Sequence, residues 1–244
     1  MLNTIHHDTC ENFMSTMEDN SVDLVVTDPP YEFVVNNPNG AGFMKDRDYI
    51  KTINNTFGMT YNPAQYLNEC KRILKKFNGY FWTNKNLLKN YIEFADQNKY
   101  SFDILLWSKP NPVPINNGHY LIDKEYIMFI REKGATFNSN LGYKTYFTIK
   151  DYPIGSKRTE HPTEKPLAMH MDMINISSNK GDIIFDGYSG TGTTALACLL
   201  TKRNYICVES DLRWVTESRS LLKSPSLQNR SNFKEDKSTN KLFN

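Results

Sequence analysis

Short apolar runs alternate along this chain with segments in which apolar residues recur at helical spacing. Such alternation is typical of an α/β protein, in which helices connect the strands of a mainly parallel sheet. The apolar runs predict seven strands, at Asn3–His7, Asp23–Thr27, Gly79–Thr83, Asp103–Trp107, Glu125–Arg131, Asp182–Phe185 and Tyr205–Glu209. The segments between them predict five helices, at Pro63–Phe77, Leu87–Gln97, Lys165–Ser177, Thr193–Lys202 and Leu212–Leu222.

The helix at Pro63–Phe77 has the clearest signals. Asn62 precedes it and is a residue type that caps helices, while Pro63 suits the first helical turn, where an N–H is not needed. Its apolar positions recur with the period of one helical face. These positions are Tyr66, Leu67, Cys70, Ile73, Leu74 and Phe77.

Two long segments and the tail lack periodicity. Residues 32–60 are rich in Asn, Gly and Lys, residues 134–161 mix aromatic and basic side chains, and residues 224–244 are polar. Loops of this length in a compact domain are usually functional or disordered, and a polar tail with few aromatic residues is usually disordered. We therefore expect one domain over residues 1–223, with 134–161 as a candidate target-recognition segment, followed by a disordered tail.

Composition narrows the class of protein only slightly. The formal net charge of +2 on 244 residues is too small to identify a partner, so a polyanion would have to meet a local basic patch. The four cysteines form no C-x-x-C pair and no compact framework, which predicts no metal site and a reduced, cytoplasmic protein. No apolar run reaches the ~20 residues of a membrane-spanning helix, so we expect no membrane partner.

A glycine-rich turn follows the predicted strand Asp182–Phe185 and opens a helix. Gly190, Gly192 and Ala195 fit the pattern G-x-G-x-x-A, which lets the backbone approach a ligand near the free N–H groups of a helix N-terminus. Glu209 ends the next strand, where a carboxylate commonly binds ribose hydroxyls. A purely structural turn is one alternative. A nicotinamide site is another, although that fold normally begins with this unit. The pattern favours a nucleoside cofactor.

A second turn, Asp28-Pro29-Pro30-Tyr31, follows the apolar run Val22–Thr27. Two prolines end the strand and fix a carboxylate, free carbonyls and an aromatic ring at its carboxyl end, where open α/β sheets bind ligands. An exocyclic aromatic amine is a poor nucleophile because its lone pair is delocalised. Hydrogen-bond acceptors at the Asp28 carboxylate and the Pro29 carbonyl would draw the amine nitrogen toward sp3 geometry. Tyr31 would stack on a base flipped out of the helix. The alternative is an ordinary strand-ending turn with a surface tyrosine.

Three motifs together resemble the permuted, or β-group, amino-methyltransferases of DNA. They are TDPPY at 27–31, HPTEKP at 161–166 and FDGYSGTGTT at 185–194, in the chain order of that family. The resemblance covers roughly residues 1–222. It implies a Rossmann-like class I methyltransferase fold, with a seven-stranded, mainly parallel sheet, one antiparallel strand and a circularly permuted order. It also implies S-adenosyl-L-methionine as the cofactor and double-stranded DNA as the substrate.

The resemblance assigns roles only where residues match. Asp28, Pro29, Pro30 and Tyr31 would form the catalytic tetrad. Asp8 would meet the cofactor's adenine, Glu209 would meet its ribose, and the 161–166 motif would close over its methionine end. The full set of expected cofactor contacts is Asp8, His161, Thr163, Lys165, Asp186, Tyr188, Ser189, Gly190, Thr191, Gly192, Thr193 and Glu209.

This chain departs from the family in two places. The family usually has Asp-Pro-Phe before the glycine turn, whereas here Asp186 is followed by Gly187 and Tyr188, which puts the cofactor contacts of this turn in question. The segment 134–161 is also short for a full target-recognition domain. Simpler roles stay open for three positions, since Asp8 and Thr163 could cap helices and Glu209 could be a solvated carboxylate.

Asp at the head of the tetrad favours adenine N6 over cytosine N4 within this family. C5-cytosine methylation is not expected, because it requires a nucleophilic thiolate and no cysteine lies in a Pro-Cys turn. A hypothesis from another class is a catalytically silent DNA-binding modification subunit. The resemblance leaves open a homodimer and a cognate restriction endonuclease as partners. Phosphate contacts are expected from basic residues in or near the irregular segments, namely Lys45, Arg47, Lys109, Lys144, Lys150, Lys157 and Arg158.

Overall fold

The computed structural model describes residues 1–30, 61–112, 120–153 and 164–223. These ranges contain an eight-stranded sheet. Its strands are β1 (Thr4–His7), β2 (Leu24–Thr27), β3 (Asn78–Thr83), β4 (Ser101–Ser108), β5 (Lys124–Arg131), β6 (Ile149–Asp151), β7 (Ile183–Asp186) and β8 (Asn204–Glu209). All seven predicted strands are present, with bounds that differ by one or two residues.

The strands lie in the order β1-β8-β7-β2-β3-β5-β4-β6. Only β5 runs against its neighbours, since it pairs antiparallel with both β3 and β4 and every other pair is parallel. The predicted mainly parallel sheet with one antiparallel strand is therefore confirmed. The first strand of the chain lies beside its last two strands, as the permuted order requires, and permutation itself stays a prediction.

Helices cover both faces of the sheet. They are α1 (Cys10–Ser15), α2 (Pro63–Ile73), α3 (Leu88–Asn98), α4 (Leu167–Ser177), α5 (Thr193–Thr201) and α6 (Leu212–Leu222). Side chains of α1, α2 and α3 form one apolar core with one face, and those of α4, α5 and α6 form a second core with the other. None of these described helices is long and apolar enough to cross a membrane.

The helix predicted at Pro63–Phe77 begins as expected and ends early. The Asn62 side chain accepts hydrogen bonds from the N–H groups of Ala64 and Gln65. The backbone turns extended at Leu74, where it forms a parallel bridge with Val22. Leu74 and Phe77 are still buried, so their apolar character reflects the core and not a further helical turn.

Three short elements of the described residues were absent from the sequence prediction, and one of them is a 3-10 helix at Tyr143–Tyr146. The α1 helix has only six residues, although its Thr9 cap and the spacing of Cys10, Phe13 and Met14 carry the usual signals. The three-residue strand β6 falls within the segment predicted to be irregular and pairs with β4 through Ile149 and Leu106. It brings the sheet to eight strands instead of the seven expected.

Candidate active site

The parallel strands β1, β8, β7 and β2 end at the same edge of the sheet, which is the edge that binds ligands in folds of this kind. Asp8, Glu209, the glycine turn and the proline turn follow these four strands in that spatial order. The two turns are neighbours because β2 pairs with β7, with Val25 opposite Phe185. The sequence separates Asp28 from Gly190 by more than 160 residues, and the sheet brings their turns together.

The proline turn holds Asp28 at the end of a fully buried strand. Oδ2 of Asp28 lies 2.7 Å from Nζ of Lys165. Oδ1 is buried and has no hydrogen-bond partner among the described residues. Burial raises the pKa of Asp28, and the Lys165 ammonium opposes that rise only in part. The free oxygen is an acceptor that a ligand amine could satisfy. Tyr31, the fourth member of the predicted tetrad, lies outside the described residues.

The glycine turn leads from β7 into α5 with two residues in the left-handed region. Gly190 has φ of 47° and Gly192 has φ of 74°. A Cβ on Gly192 would also lie 3.0 Å from Cδ1 of Ile5 and from Cβ of Ser218, so both space and conformation require glycine here. Oγ of Ser189 is buried with no described partner, which leaves a second unsatisfied polar atom at this edge.

Asp186 joins the two turns. Its Oδ1 accepts hydrogen bonds from the Thr27 hydroxyl (2.9 Å) and the Tyr188 N–H (3.1 Å), and its Oδ2 accepts one from the Thr194 hydroxyl (2.6 Å). Burial raises the pKa of Asp186 to about 6, even though these three donors act in the opposite direction. Asp186 was expected at the rim of the cofactor; the contacts seen here fix the glycine turn against the end of β2.

The departure from Asp-Pro-Phe has a steric reason. A Cβ on Gly187 would lie 2.3 Å from Sγ of Cys10, a distance that no side chain tolerates. The turn therefore requires glycine as long as Cys10 of α1 packs beneath it. The Tyr188 hydroxyl donates to Oε1 of Glu11, and its ring packs against Tyr66 at 5.5 Å between centroids. Gly187 and Tyr188 therefore connect the glycine turn to α1 and α2 on this face of the sheet.

Glu209 and Asp8 flank the turn. Glu209 accepts the Gly190 N–H at Oε2 (2.8 Å) and the Asp211 N–H at Oε1 (2.9 Å), so it pins the glycine turn from the neighbouring strand. Burial raises the pKa of Glu209, and these N–H groups act against the rise. Asp8 accepts the N–H of Thr9, and it is Thr9 that caps α1. The remaining turn residues Thr191 and Thr193 approach each other through their hydroxyls, 3.4 Å apart.

A chain of opposite charges extends from Asp28 across the sheet edge. Nζ of Lys165 lies 2.9 Å from Oε2 of Glu125, and Nζ of Lys109 lies 2.6 Å from Oε1 of Glu125. Burial alone would raise the pKa of Glu125, but the two ammonium groups outweigh it and lower the pKa. Sequence reasoning missed Glu125. The sequence offered one signal, its place at the start of the predicted strand Glu125–Arg131, whereas its position opposite Trp107 is known only from the sheet.

Lys165 was expected at the methionine end of the cofactor. Its side chain is 7% exposed, and its ammonium lies between the carboxylates of Asp28 and Glu125. This arrangement ties it directly to the proline turn. His161 and Thr163, from the same motif, lie outside the described residues.

The expected phosphate contacts need correction at two lysines. Lys150 is 5% exposed and its ammonium donates to the Thr145 carbonyl at 2.5 Å, so it cannot reach a phosphate from this position. Lys109 is paired with Glu125 and lies over the Trp107 ring. Lys144 is exposed, as a phosphate contact requires. The other four candidates, Lys45, Arg47, Lys157 and Arg158, lie outside the described residues.

Comparison with known proteins gives a consistent result. The sequence profile of the family described as DNA methylase matches residues 22–219. The type II methyltransferase M2.MboI of Moraxella bovis is 31% identical over 239 residues, which cover 88% of this chain and 85% of that protein.

Solved structures share the fold at lower identity. The complex of M1.HpyAVI with SAM superposes with a TM-score of 0.67 at 23% identity, covering 91% of this chain and 99% of that one. The cytosine-N4-specific PvuII DNA methyltransferase superposes with a TM-score of 0.66 at 12% identity, covering 93% and 90%. The chain therefore shares its overall fold with both structures.

Proposed function

The chain belongs to the DNA methylase family, and from that premise we propose that it transfers a methyl group from S-adenosyl-L-methionine to N6 of adenine in double-stranded DNA. The observation that carries the proposal is the buried Oδ1 of Asp28, which has no hydrogen-bond partner among the described residues and follows a strand adjacent to the glycine turn. An acceptor so placed suits an amine that must be held beside a cofactor.

The residues at the sheet edge fit the cofactor. The glycine turn offers backbone N–H groups at the start of α5, Ser189 offers a buried hydroxyl without a described partner, and Glu209 offers acceptor oxygens for ribose hydroxyls. Asp8 stands beyond Glu209, at the position proposed for adenine. The similar M1.HpyAVI structure was solved with SAM, which agrees with this assignment. When bound, the sulfonium supplies an electrophilic methyl group.

The chain's own residues prepare the nucleophile. Oδ1 of Asp28 accepts one N–H of the target amine and the Pro29 carbonyl accepts the other, so the nitrogen lone pair leaves the ring system and points toward the methyl group. As the N–C bond forms, the bond from the methyl carbon to the sulfonium sulfur would break and leave a neutral thioether. The nitrogen would become positively charged, and the Asp28 carboxylate would stabilise that charge in a site that excludes water. One of the two protons that the amine already carries would then pass to Oδ1. Positioning and electrostatics supply the rate enhancement.

Adenine is proposed over cytosine because Asp heads the tetrad in this chain. Cytosine N4 is the alternative, and the fold does not separate the two because the cytosine-N4-specific PvuII enzyme has the same architecture. A silent DNA-binding subunit is the alternative from another class. The free oxygen of Asp28 counts against it, since a silent subunit has no need of a buried acceptor.

The test is direct. The protein is incubated with isotopically labelled S-adenosylmethionine and DNA of mixed sequence, and the DNA is digested to nucleosides for mass spectrometry. Label in N6-methyladenine is expected. Label in N4-methylcytosine would replace the proposed base with the alternative one. Calorimetric cofactor binding without label in either nucleoside would support the silent subunit. DNA sequencing with modification-sensitive detection then gives the recognition sequence.

The other partners stay predictions. A homodimer and a cognate restriction endonuclease are consistent with the type II methyltransferase relative. Sedimentation in the analytical ultracentrifuge tests for the homodimer. A search for an endonuclease that cannot cut the methylated DNA tests for the second partner.

A further inference from the structure

Three ion pairs connect Asp28 to residues on other elements, and we call the connected set Lys109, Glu125, Lys165 and Asp28 the charge chain. The distances along it are 2.6, 2.9 and 2.7 Å. The side chains are 11%, 19%, 7% and 27% exposed in the same order. The charges alternate in sign, so the chain as a whole is neutral.

Ion pairs removed from water in this way add little to the stability of the fold. Taking paired charges out of water costs about as much as their attraction returns, and apolar residues of similar volume often do as well. A partly buried chain of four charges that ends at the proposed catalytic carboxylate therefore calls for a functional reason.

We propose, on the basis of the proposed function, that Glu125 is a positioning residue for methyl transfer. It holds the Lys165 ammonium against Oδ2 of Asp28 and thereby leaves Oδ1 as the carboxylate oxygen that meets the target amine.

The first argument is geometric. Lysine has a flexible four-carbon stem, and an ammonium held by a single carboxylate can move between its two oxygens. Glu125 belongs to β5, where it pairs with Trp107 of β4, and the next residue, Tyr126, also pairs with Thr83 of β3, so the sheet supports it. A second ligand on this strand confines the Lys165 ammonium to one side of Asp28. Within the part of the chain that the structure describes, Oδ1 is the oxygen of Asp28 that is buried without a hydrogen-bond partner.

The second argument concerns charge. An ammonium that paired with Asp28 alone would weaken the carboxylate as an acceptor for the amine. Glu125 shares the same ammonium, so Asp28 keeps more of its negative charge for the substrate. Lys109 in turn satisfies the other oxygen of Glu125, which prevents Glu125 from adding a full repulsive charge.

Groups from five elements face Asp28, and their signs predict how each variant behaves. Burial raises its pKa, Lys165 and Lys109 lower it, and Glu125 raises it. Asp186 at the end of β7 and Tyr91 of α3 also interact with Asp28 electrostatically. Removing Glu125's charge should therefore lower the pKa of Asp28, whereas removing Lys165's charge should raise it.

The experiment measures single-turnover methyl transfer as a function of pH with saturating cofactor and DNA. The variants are Glu125→Gln and Lys165→Met, with Asp123→Asn as a matched control. Asp123 lies two residues from Glu125, is half exposed, and its side chain contacts Lys124. Its backbone carbonyl accepts the Lys109 N–H, a contact that the substitution keeps. The substitution reports the general effect of losing one negative charge from this hairpin. Calorimetry of S-adenosylmethionine binding and a melting curve accompany each variant.

For Glu125→Gln we expect a plateau rate lower by about tenfold to a hundredfold, as for other small misplacements of a reacting group. The acidic limb of its pH–rate profile, where the rate falls as Asp28 is protonated, should move to lower pH. The acidic limb of the Lys165→Met profile should move to higher pH, because the ammonium that lowers the pKa of Asp28 is gone. Cofactor affinity should change by less than about threefold in Glu125→Gln, and Asp123→Asn should resemble the unaltered protein. Opposite shifts in the two variants are the signature that a purely structural role would not produce.

Unmoved acidic limbs in folded variants, or a loss of cofactor affinity that accounts for the whole loss of rate, would overturn the positioning role. If the amide variant folds poorly, Glu125→Asp keeps the charge but shortens the side chain, and it should lose rate without a downward shift of the limb; a rate equal to that of the unaltered protein would again refute the role. Absence of transfer by the unaltered protein would instead overturn the proposed function itself.

Discussion

The contact between Gly187 and Cys10 gives a sharp stability prediction. Gly187→Ala adds a Cβ whose ideal position is 2.3 Å from Sγ of Cys10 and 3.3 Å from both Cε1 of Phe185 and Oη of Tyr66. The left-handed residues of the turn are Gly190 and Gly192, so the cost at Gly187 is steric and not conformational. Overpacking of this kind costs about 1–3 kcal/mol, which corresponds to a fall in melting temperature of roughly 2–12 °C for a chain of this size.

The steric origin can be isolated with a double-mutant cycle. Cys10→Ala removes the sulfur and should cost about 1 kcal/mol, as for a typical buried truncation. The double variant should be more stable than the sum of the two single effects predicts, with a coupling of about 1 kcal/mol or more. Full recovery is not expected, because the contacts with Phe185 and Tyr66 remain tight. Chemical denaturation at 25 °C measures all four proteins, and strictly additive effects would refute the proposed clash.

Two further predictions follow from the site. Asp186 has a folded-state pKa of about 6, above its ordinary value near 3.8, so its ionisation opposes folding as pH rises between those values. Relative to Asp186→Asn, the unaltered protein should lose about 2 kcal/mol of stability between pH 4 and pH 7; a constant difference in denaturation free energy would contradict this. Lys144→Ala should weaken DNA binding and reduce its salt slope by about one, whereas Lys150→Ala, at a buried position, should leave the slope unchanged. Equal slopes for the two variants would remove Lys144 from the interface.

Much of the fold was predictable because local patterns and tertiary structure agree. Strand β2, for example, was predicted from an apolar run followed by two prolines. In the structure the strand is fully buried and ends before those prolines. Helix α2 shows the limit of such reasoning. Leu74 and Phe77 continue its apolar spacing, yet pairing with the Val22 segment ends the helix at Ile73. A contact between segments about fifty residues apart has no local signature.

The candidate site was likewise predictable from the sequence only in part. The proline and glycine turns are contiguous in sequence and could be identified as motifs. Glu125 was missed because it gains its importance only when the sheet places it next to Lys165. Lys150 was misassigned because basic character predicts exposure on average, whereas here the ammonium is buried on a backbone carbonyl. Pairings of charges across strands depend on register, which composition and spacing do not specify.

The most direct test of the central claim compares the two carboxylates at opposite ends of β2. Asp28 follows its carboxyl end, while Asp23 precedes its amino end and binds Lys75 and the Ile183 N–H. Single-turnover methyl transfer and calorimetric cofactor affinity are measured for Asp28→Ala and for Asp23→Ala. We predict that Asp28→Ala loses at least about a hundredfold in rate with nearly unchanged cofactor affinity, and that folded Asp23→Ala keeps its rate. Transfer by Asp28→Ala at a rate close to that of the unaltered protein would contradict the account.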